Sequence, residues 1–133
     1  MHMAELQKES STEELTNVAN KLGSAIVDTM EYQTYHAAEQ CFQSDPQAQE
    51  LLKKHEETRQ SLQLMWQLKS STEEEMQKLR ELKKLIEANQ TLKEYFNAQE
   101  KLVSMLRELN EFISERLNLD FSGLTKPQRG CCG

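Results

Sequence analysis

The stretch His55-Glu56-Glu57-Thr58-Arg59 opens like the helical zinc-protease motif, in which two histidines one turn apart hold the metal and the glutamate activates water. Arg59 stands where the second histidine is required. With no second ligand in reach, His55 reads as a partly buried residue on a helix face. Asn89-Gln90-Thr91 fits a glycosylation acceptor, but no basic-then-apolar leader opens the chain, so Asn89 is better read as a helix cap. The sequence has no phosphate-cradling glycine loop, no serine elbow and no ladder of spaced carboxylates for calcium. The abundant carboxylates read as solvated helix faces. The expectation is a protein that is not an enzyme and has no catalytic residue.

The cysteines are the remaining reactive groups. There are three, an odd number, which does not make the disulfide framework of a secreted mini-protein and suits reduced thiols. Cys41 falls beside Tyr35 and Ala38 and reads as a small buried hydrophobe. Cys131 and Cys132 are adjacent in the ending Gly130-Cys131-Cys132-Gly133, where a bond between neighbours would strain the peptide. Two readings stay open: a terminus that merely tolerates thiols, or a pair of metal ligands. An iron-sulfur cluster usually takes four thiolates and zinc prefers four ligands, so a metal at Cys131 and Cys132 would be shared with a second tail or with other subunits.

The elements that must position these groups are helices. Only four Gly and two Pro interrupt 133 residues otherwise rich in Glu, Gln, Leu, Lys and Ala, the residues that lose least on entering a helix. Ser11 and Glu14 have the spacing of a capping box, ahead of Leu15, Val18, Ala19, Leu22, Ala25 and Ile26 on one face. This predicts a first helix over 12–27. Asp28 is the expected cap of a second helix ending near Ser44, and Asp45-Pro46 starts a third that runs to about Lys69. Its apolar face holds Ala48, Leu51, Leu52, His55, Leu62, Met65 and Trp66. Ser70-Ser71-Thr72 breaks the pattern, and three glutamates suit the positive end of a fourth helix whose buried side is Met76, Leu79, Leu82, Leu85 and Ile86. Asn89 caps the fifth. Its stripe is Leu92, Tyr95, Leu102, Leu106, Leu109 and Ile113, broken by Gln99, and the helix ends near Leu119.

The expected fold class is therefore all-α, a bundle of about five amphipathic helices with a long C-terminal helix, in a domain over 1–119. Residues 120–133 read as a flexible Cys-containing tail. The aromatic residues Tyr32, Tyr35, Phe42, Tyr95 and Phe96 read as core or subunit-interface packing. Tyr32, Tyr35, Tyr95, Leu102, Leu106, Leu109 and Ile113 are the expected interface, because the stripes exceed what one subunit can hide. The 22 acidic and 16 basic residues, net charge −6, are interspersed without a Lys/Arg block, which disfavours direct nucleic-acid binding. No apolar run approaches the ~20 residues needed to cross a bilayer. A cytoplasmic protein without membrane insertion is expected.

The pattern resembles the YlbF/YmcA family of Gram-positive bacteria, small helical proteins associated with competence, sporulation and biofilm formation. The resemblance rests on Leu15, Ala19, Leu22 and Ile26, on Tyr32, Tyr35 and Ala38, and on Asp45-Pro46 with Ala48, Leu51 and Leu52. It continues through Ile86, Asn89, Tyr95, Ala98, Leu102 and Asn110. The Cys-Cys-Gly ending looks most like the YlbF branch, whose members join a YmcA-like and a YaaT-like protein in one complex carrying iron-sulfur clusters. The resemblance implies that Cys131 and Cys132 are cluster ligands. It also implies that the complex modulates RNase Y-dependent mRNA maturation, so that an acidic protein influences RNA without touching it. The alternatives are a structural helical homo-oligomer without metal and a zinc-binding scaffold made from two tails.

Overall fold

The structure, a computed structural model, describes residues 2–127, with side chains from residue 9 onward. The described residues form six helices and no strand: α1 His2–Val27, α2 Met30–Gln43, α3 Pro46–Gln67, α4 Glu73–Ala88, α5 Gln90–Leu117 and α6 Phe121–Thr125. The all-α expectation holds, with one short helix beyond the five foreseen.

Three junctions show why the chain turns where it does. Thr29, in extended backbone, accepts the Tyr32 amide at 3.2 Å and donates its hydroxyl to the Ile26 carbonyl at 2.6 Å, so one side chain closes α1 and opens α2. The cap is Thr29, one residue past the expected Asp28. At the next junction Asp45 accepts the Ala48 amide at 3.1 Å and Pro46 takes the first helical position, as the sequence foretells. The Gln49 side-chain Nε2 donates back to the Phe42 and Gln43 carbonyls at 3.0 and 2.9 Å, satisfying the open end of α2. Asn89 accepts the Leu92 amide at 3.0 Å and starts α5 after a single-residue break.

Two helices end in the left-handed conformation. At the end of α3, Lys69 has φ 54°, while the Ser70 amide binds the Met65 carbonyl and the Lys69 amide that of Trp66. The end of α5 repeats this geometry with Asn118 at φ 55° and Leu119 bonded back to Ser114. Asn tolerates that conformation; Lys does so at a cost.

Two expectations need correction. The helix expected to begin near Thr12 runs from His2, straight through Ser11 and Glu14. The preceding Ala4, Glu5, Leu6, Gln7 and Lys8 are good helix formers, and a capping box stops a helix only where the chain also leaves helical backbone. Residues expected in an irregular tail form α6, whose first amides are claimed by α5: Phe121 N–H donates to Ser114 Oγ and Ser122 N–H to Asn110 Oδ1, both at 3.1 Å. Gly123 leaves room for the Asp120 carboxylate, which a Cβ at that position would strike. The rest of the expected tail, 128–133, lies outside the described residues.

α5 is the spine, packed against α2, α4 and α6. α3 and α4 form an antiparallel hairpin, since Trp66 shares a groove with Met76 near the turn while Lys54 shares one with Leu85 far from it. Among the described residues the buried side chains are Ala48, Leu62, Leu92, Ala98 and Leu102. Gln99 does not break the α5 stripe, because the buried face passes through Ala98, and 92, 95, 98 and 102 keep the threes-and-fours spacing. Met76 and Leu85, expected on the buried side of α4, are exposed. Each lies at the margin of a face centred on the half-buried Leu79, Leu82 and Ile86.

Leu92→Ala is expected to lower unfolding free energy by about 3 kcal/mol, against roughly 0.5 kcal/mol for Leu85→Ala, measured by urea titration. In the same assay Lys69→Gly should stabilise the protein by about 0.5–1 kcal/mol by relieving the left-handed strain. Equal losses for the two leucines, or destabilisation by the glycine, would contradict this packing.

Candidate interaction surface

The aromatic residues assemble at the seam of α2 and α5. Tyr95 projects from α5 with its ring centroid 5.8 Å from Tyr35, 5.0 Å from Phe42 and 5.5 Å from Phe96, in tilted, stacked and edge arrangements respectively. The Tyr35 and Tyr95 hydroxyls lie 3.5 Å apart. Their hydrogen bond, together with desolvation, pushes the Tyr35 phenol up to about 12. Tyr32 stacks on His36 one turn along α2.

Of the residues expected at an interface, Tyr35 and Tyr95 pack against each other across α2 and α5, and Leu102 keeps only 9% of its surface exposed. Tyr32, Leu109 and Ile113 are half-buried, and Leu106 is open. The larger open apolar surface lies elsewhere. On α1, Leu15 and Val18 are 71% and 62% exposed; at the end of α3, Leu64, Trp66 and Leu68 are open; on α5, Phe112 is 73% exposed. Trp66 does sit on the predicted apolar face of α3, but its indole borders a groove of about 450 Å³ between α3 and α4 instead of being packed away. The signal available in the sequence was a surplus: more leucines at helical spacing than five short faces can bury against one another.

Among the reactive groups, Glu56 is engaged by Arg59, which donates to its two oxygens at 2.6 and 3.0 Å. That hydrogen bonding holds the Glu56 carboxyl below its usual range. The residue that spoils the zinc motif therefore also occupies its glutamate. His55 is half-buried, as its place on the face requires. Cys41, expected to be buried, is exposed and borders a groove between α2 and α5 with Ala37, Ala38, Glu94 and Asn97. It lies just outside the stacked Phe42, which takes the inward position. Among the described residues no group of three or more His, Cys, Asp or Glu is placed to hold a metal. Cys131 and Cys132 lie outside the described residues. No described helix is long and apolar enough to cross a membrane.

The family of YlbF/YmcA proteins, described as control of competence regulator ComK, matches residues 15–118, which run from the first exposed leucine of α1 to the left-handed Asn118. The chain belongs to the YlbF/YmcA family. Similar relatives are UPF0342 proteins of Streptococcus pyogenes serotypes M4 and M49, each 31% identical over 103 residues, covering 77% of this chain and 91% of theirs. A chain in the X-ray crystal structure of Bacillus subtilis RicA in complex with RicF is similar in fold. Its TM-score is 0.70 at 18% identity, covering 79% of this chain and 94% of that one. In this YlbF/YmcA chain the matched segment holds the whole aromatic seam and the α3–α4 groove and stops short of the terminal cysteines.

The seam makes a pH prediction. Since the folded Tyr35 phenol ionises at about 12 against an ordinary 10.0, its contribution to stability is complete below pH 10 and is lost as pH rises from 10 towards 12. Tyr95→Phe should bring the late phenolate absorbance step back towards pH 10 and remove that part of the alkaline stability loss. An unchanged titration would break the assigned hydrogen bond.

Proposed function

We propose that this chain is a non-catalytic subunit of a regulatory protein complex and acts by presenting helix faces to partner proteins. The observation that carries the reading is the open apolar surface at Leu15, Val18, Trp66 and Phe112 on a chain of the YlbF/YmcA family. Large apolar side chains left open at these positions are available to pack against a partner chain. The similar fold in a structure of RicA in complex with RicF supports assembly as the working state of the architecture. In finer detail, the partners are YmcA-like and YaaT-like proteins and the process is RNase Y-dependent mRNA maturation, through which competence, sporulation and biofilm formation are affected. The protein works in the cytoplasm.

Cys131 and Cys132 contribute thiolates to an iron-sulfur cluster shared between subunits. The described residues offer only the exposed Cys41 as a further thiol, on α2, so the remaining ligands come from other chains. A cluster held this way makes the tail a joint between subunits as well as a metal site.

Anaerobic purification of the full chain with its natural partners, followed by iron and sulfide assay, tests the reading. The wild type should carry iron in the complex. The Cys131→Ser, Cys132→Ser double variant should lose at least tenfold of it, with helical circular dichroism unchanged. Iron unaffected by the double variant would discard the tail as a ligand; metal-free protein without partners would favour a structural homo-oligomer; zinc in place of iron would favour a zinc scaffold.

A further inference from the structure

Ser10-Ser11-Thr12-Glu13-Glu14 recurs, residue for residue, as Ser70-Ser71-Thr72-Glu73-Glu74. The same displacement of 60 positions carries Leu22, Ile26, Tyr35, Ala38 and Ser44 onto Leu82, Ile86, Tyr95, Ala98 and Ser104, with no insertion or deletion between 10–44 and 70–104. A helix-forming composition produces scattered matches of Glu and Leu. It does not produce matched tyrosines, or one pentapeptide in two settings as different as the body of α1 and the start of α4.

The structure repeats at the same interval. Thr29 and Asn89 each stand in extended backbone between two helices and make the same three hydrogen bonds. Their amides donate to the carbonyls of Ile26 and Ile86 at 3.0 and 3.2 Å. Their side-chain oxygens accept the amides of Tyr32 and Leu92 at 3.2 and 3.0 Å. Their carbonyls accept the amides of Gln33 and Lys93 at 3.1 and 3.0 Å. Burial follows the same register. Between 23 and 38 the residues withdrawn from solvent are Ile26, Thr29, Glu31, Tyr32, Tyr35 and Ala38; between 83 and 98 they are Ile86, Asn89, Thr91, Leu92, Tyr95 and Ala98, the same six places.

The two stretches also meet at equivalent residues. The Tyr35 hydroxyl lies against that of Tyr95, and the α2–α5 groove is lined by Thr34 with its counterpart Glu94 and by Ala37 with its counterpart Asn97. Any two crossing helices have a local two-fold axis, but crossing alone does not require that axis to carry each residue onto its own sequence counterpart. We infer that the chain is built from two copies of one helix–cap–helix unit, α1–α2 and α4–α5, related by an approximate two-fold axis that passes between Tyr35 and Tyr95. The relation accounts for the open face of α1. After α2 the chain turns at Asp45-Pro46 and lays α3 alongside α4, whereas at the matching Met105-Leu106 α5 runs on without a break. Two equal units with unequal continuations leave one outer helix covered and its twin bare. The relation is a property of the single chain and rests neither on the terminal cysteines nor on the partners proposed above.

Paired distances test it in the full chain, with spin labels at exposed positions in a Cys41→Ser, Cys131→Ser, Cys132→Ser background. A two-fold axis makes the distance between labels at Ser24→Cys and Asn97→Cys equal to that between Lys84→Cys and Ala37→Cys, since each pair is the image of the other. Gln40→Cys with Lys93→Cys should likewise match Glu100→Cys with Gln33→Cys. Pulsed electron resonance should return coincident distance distributions in both comparisons, at unchanged helical circular dichroism. A mismatch in the first would mean that α1 leaves α2 in a different direction from α4 leaving α5, and would overturn the inference. A mismatch in the second would move the axis away from Tyr35 and Tyr95 and overturn it equally. In the unlabelled wild type, nuclear Overhauser contacts between Ala37 and Glu94 should be accompanied by contacts between Thr34 and Asn97; one set without the other would contradict the axis.

Discussion

Leu92 is wholly shielded in the first turns of α5, flanked by two residues that each fasten another helix. Thr91 hydrogen-bonds the Asp45 carboxylate at the start of α3, the largest of the effects that lower its pKa, and Tyr95 gathers Tyr35 and Phe42 from α2. With Asn89 capping α5 where α4 ends, one short segment ties α2 and α4 to α5 and reaches Asp45 at the start of α3. The rest of the architecture follows from this junction. α5 continues past it as the spine, the α3–α4 hairpin swings from Asp45 and Asn89, and α1 and α6 are appended at the margins. Because the Asp45 carboxyl is held below its usual range by Thr91 and the Ala48 amide, the stability this cap contributes is present above the ordinary carboxylate range and weakens as pH falls through the depressed pKa.

Concentrating burial at one junction leaves the distal faces poorly covered. Among the described residues only Ala48, Leu62, Leu92, Ala98 and Leu102 are buried, and three of the five belong to α5. The hairpin closes on Leu62 but opens again towards its turn, where Leu64, Trp66 and Leu68 face solvent. A spine-and-arms arrangement exposes surface because the arms pack mainly on one side, α2 against α5 and α3 against α4.

Much of this was legible in the sequence, for local reasons. Asp45-Pro46 and Asn89 were identified because their capping chemistry is contained within three residues, and the α5 stripe because a long helix repeats its signal. Thr29 was passed over in favour of Asp28 since both types cap well, and only the tertiary geometry selects the one that can also bond Ile26. Ser11 and Glu14 had the right spacing without a reason for the chain to turn. α6 was invisible because the groups that hold it, Asn110 and Ser114, act from the preceding helix. The apolar stripes divided along similar lines. Periodicity finds an apolar face but does not say whether its partner is within the chain, so Tyr35, Tyr95 and Leu102 became intramolecular while α1, with an equally regular stripe, stayed open.

Charge separates these two kinds of apolar face where periodicity does not. The intramolecular seam of α2 and α5 is sealed by rings whose hydroxyls bond one another, and needs no complementary charge to be stable. The α3–α4 groove keeps Arg80 and Lys83 among its apolar lining in a molecule that is acidic overall, an arrangement that contributes little to the fold of the lone chain. Long basic side chains can lie along apolar walls and cover them partially while their charged ends stay in water, so apolar surface beside Arg80 and Lys83 is tolerated without a covering helix, whereas the α2–α5 seam excludes water by ring packing.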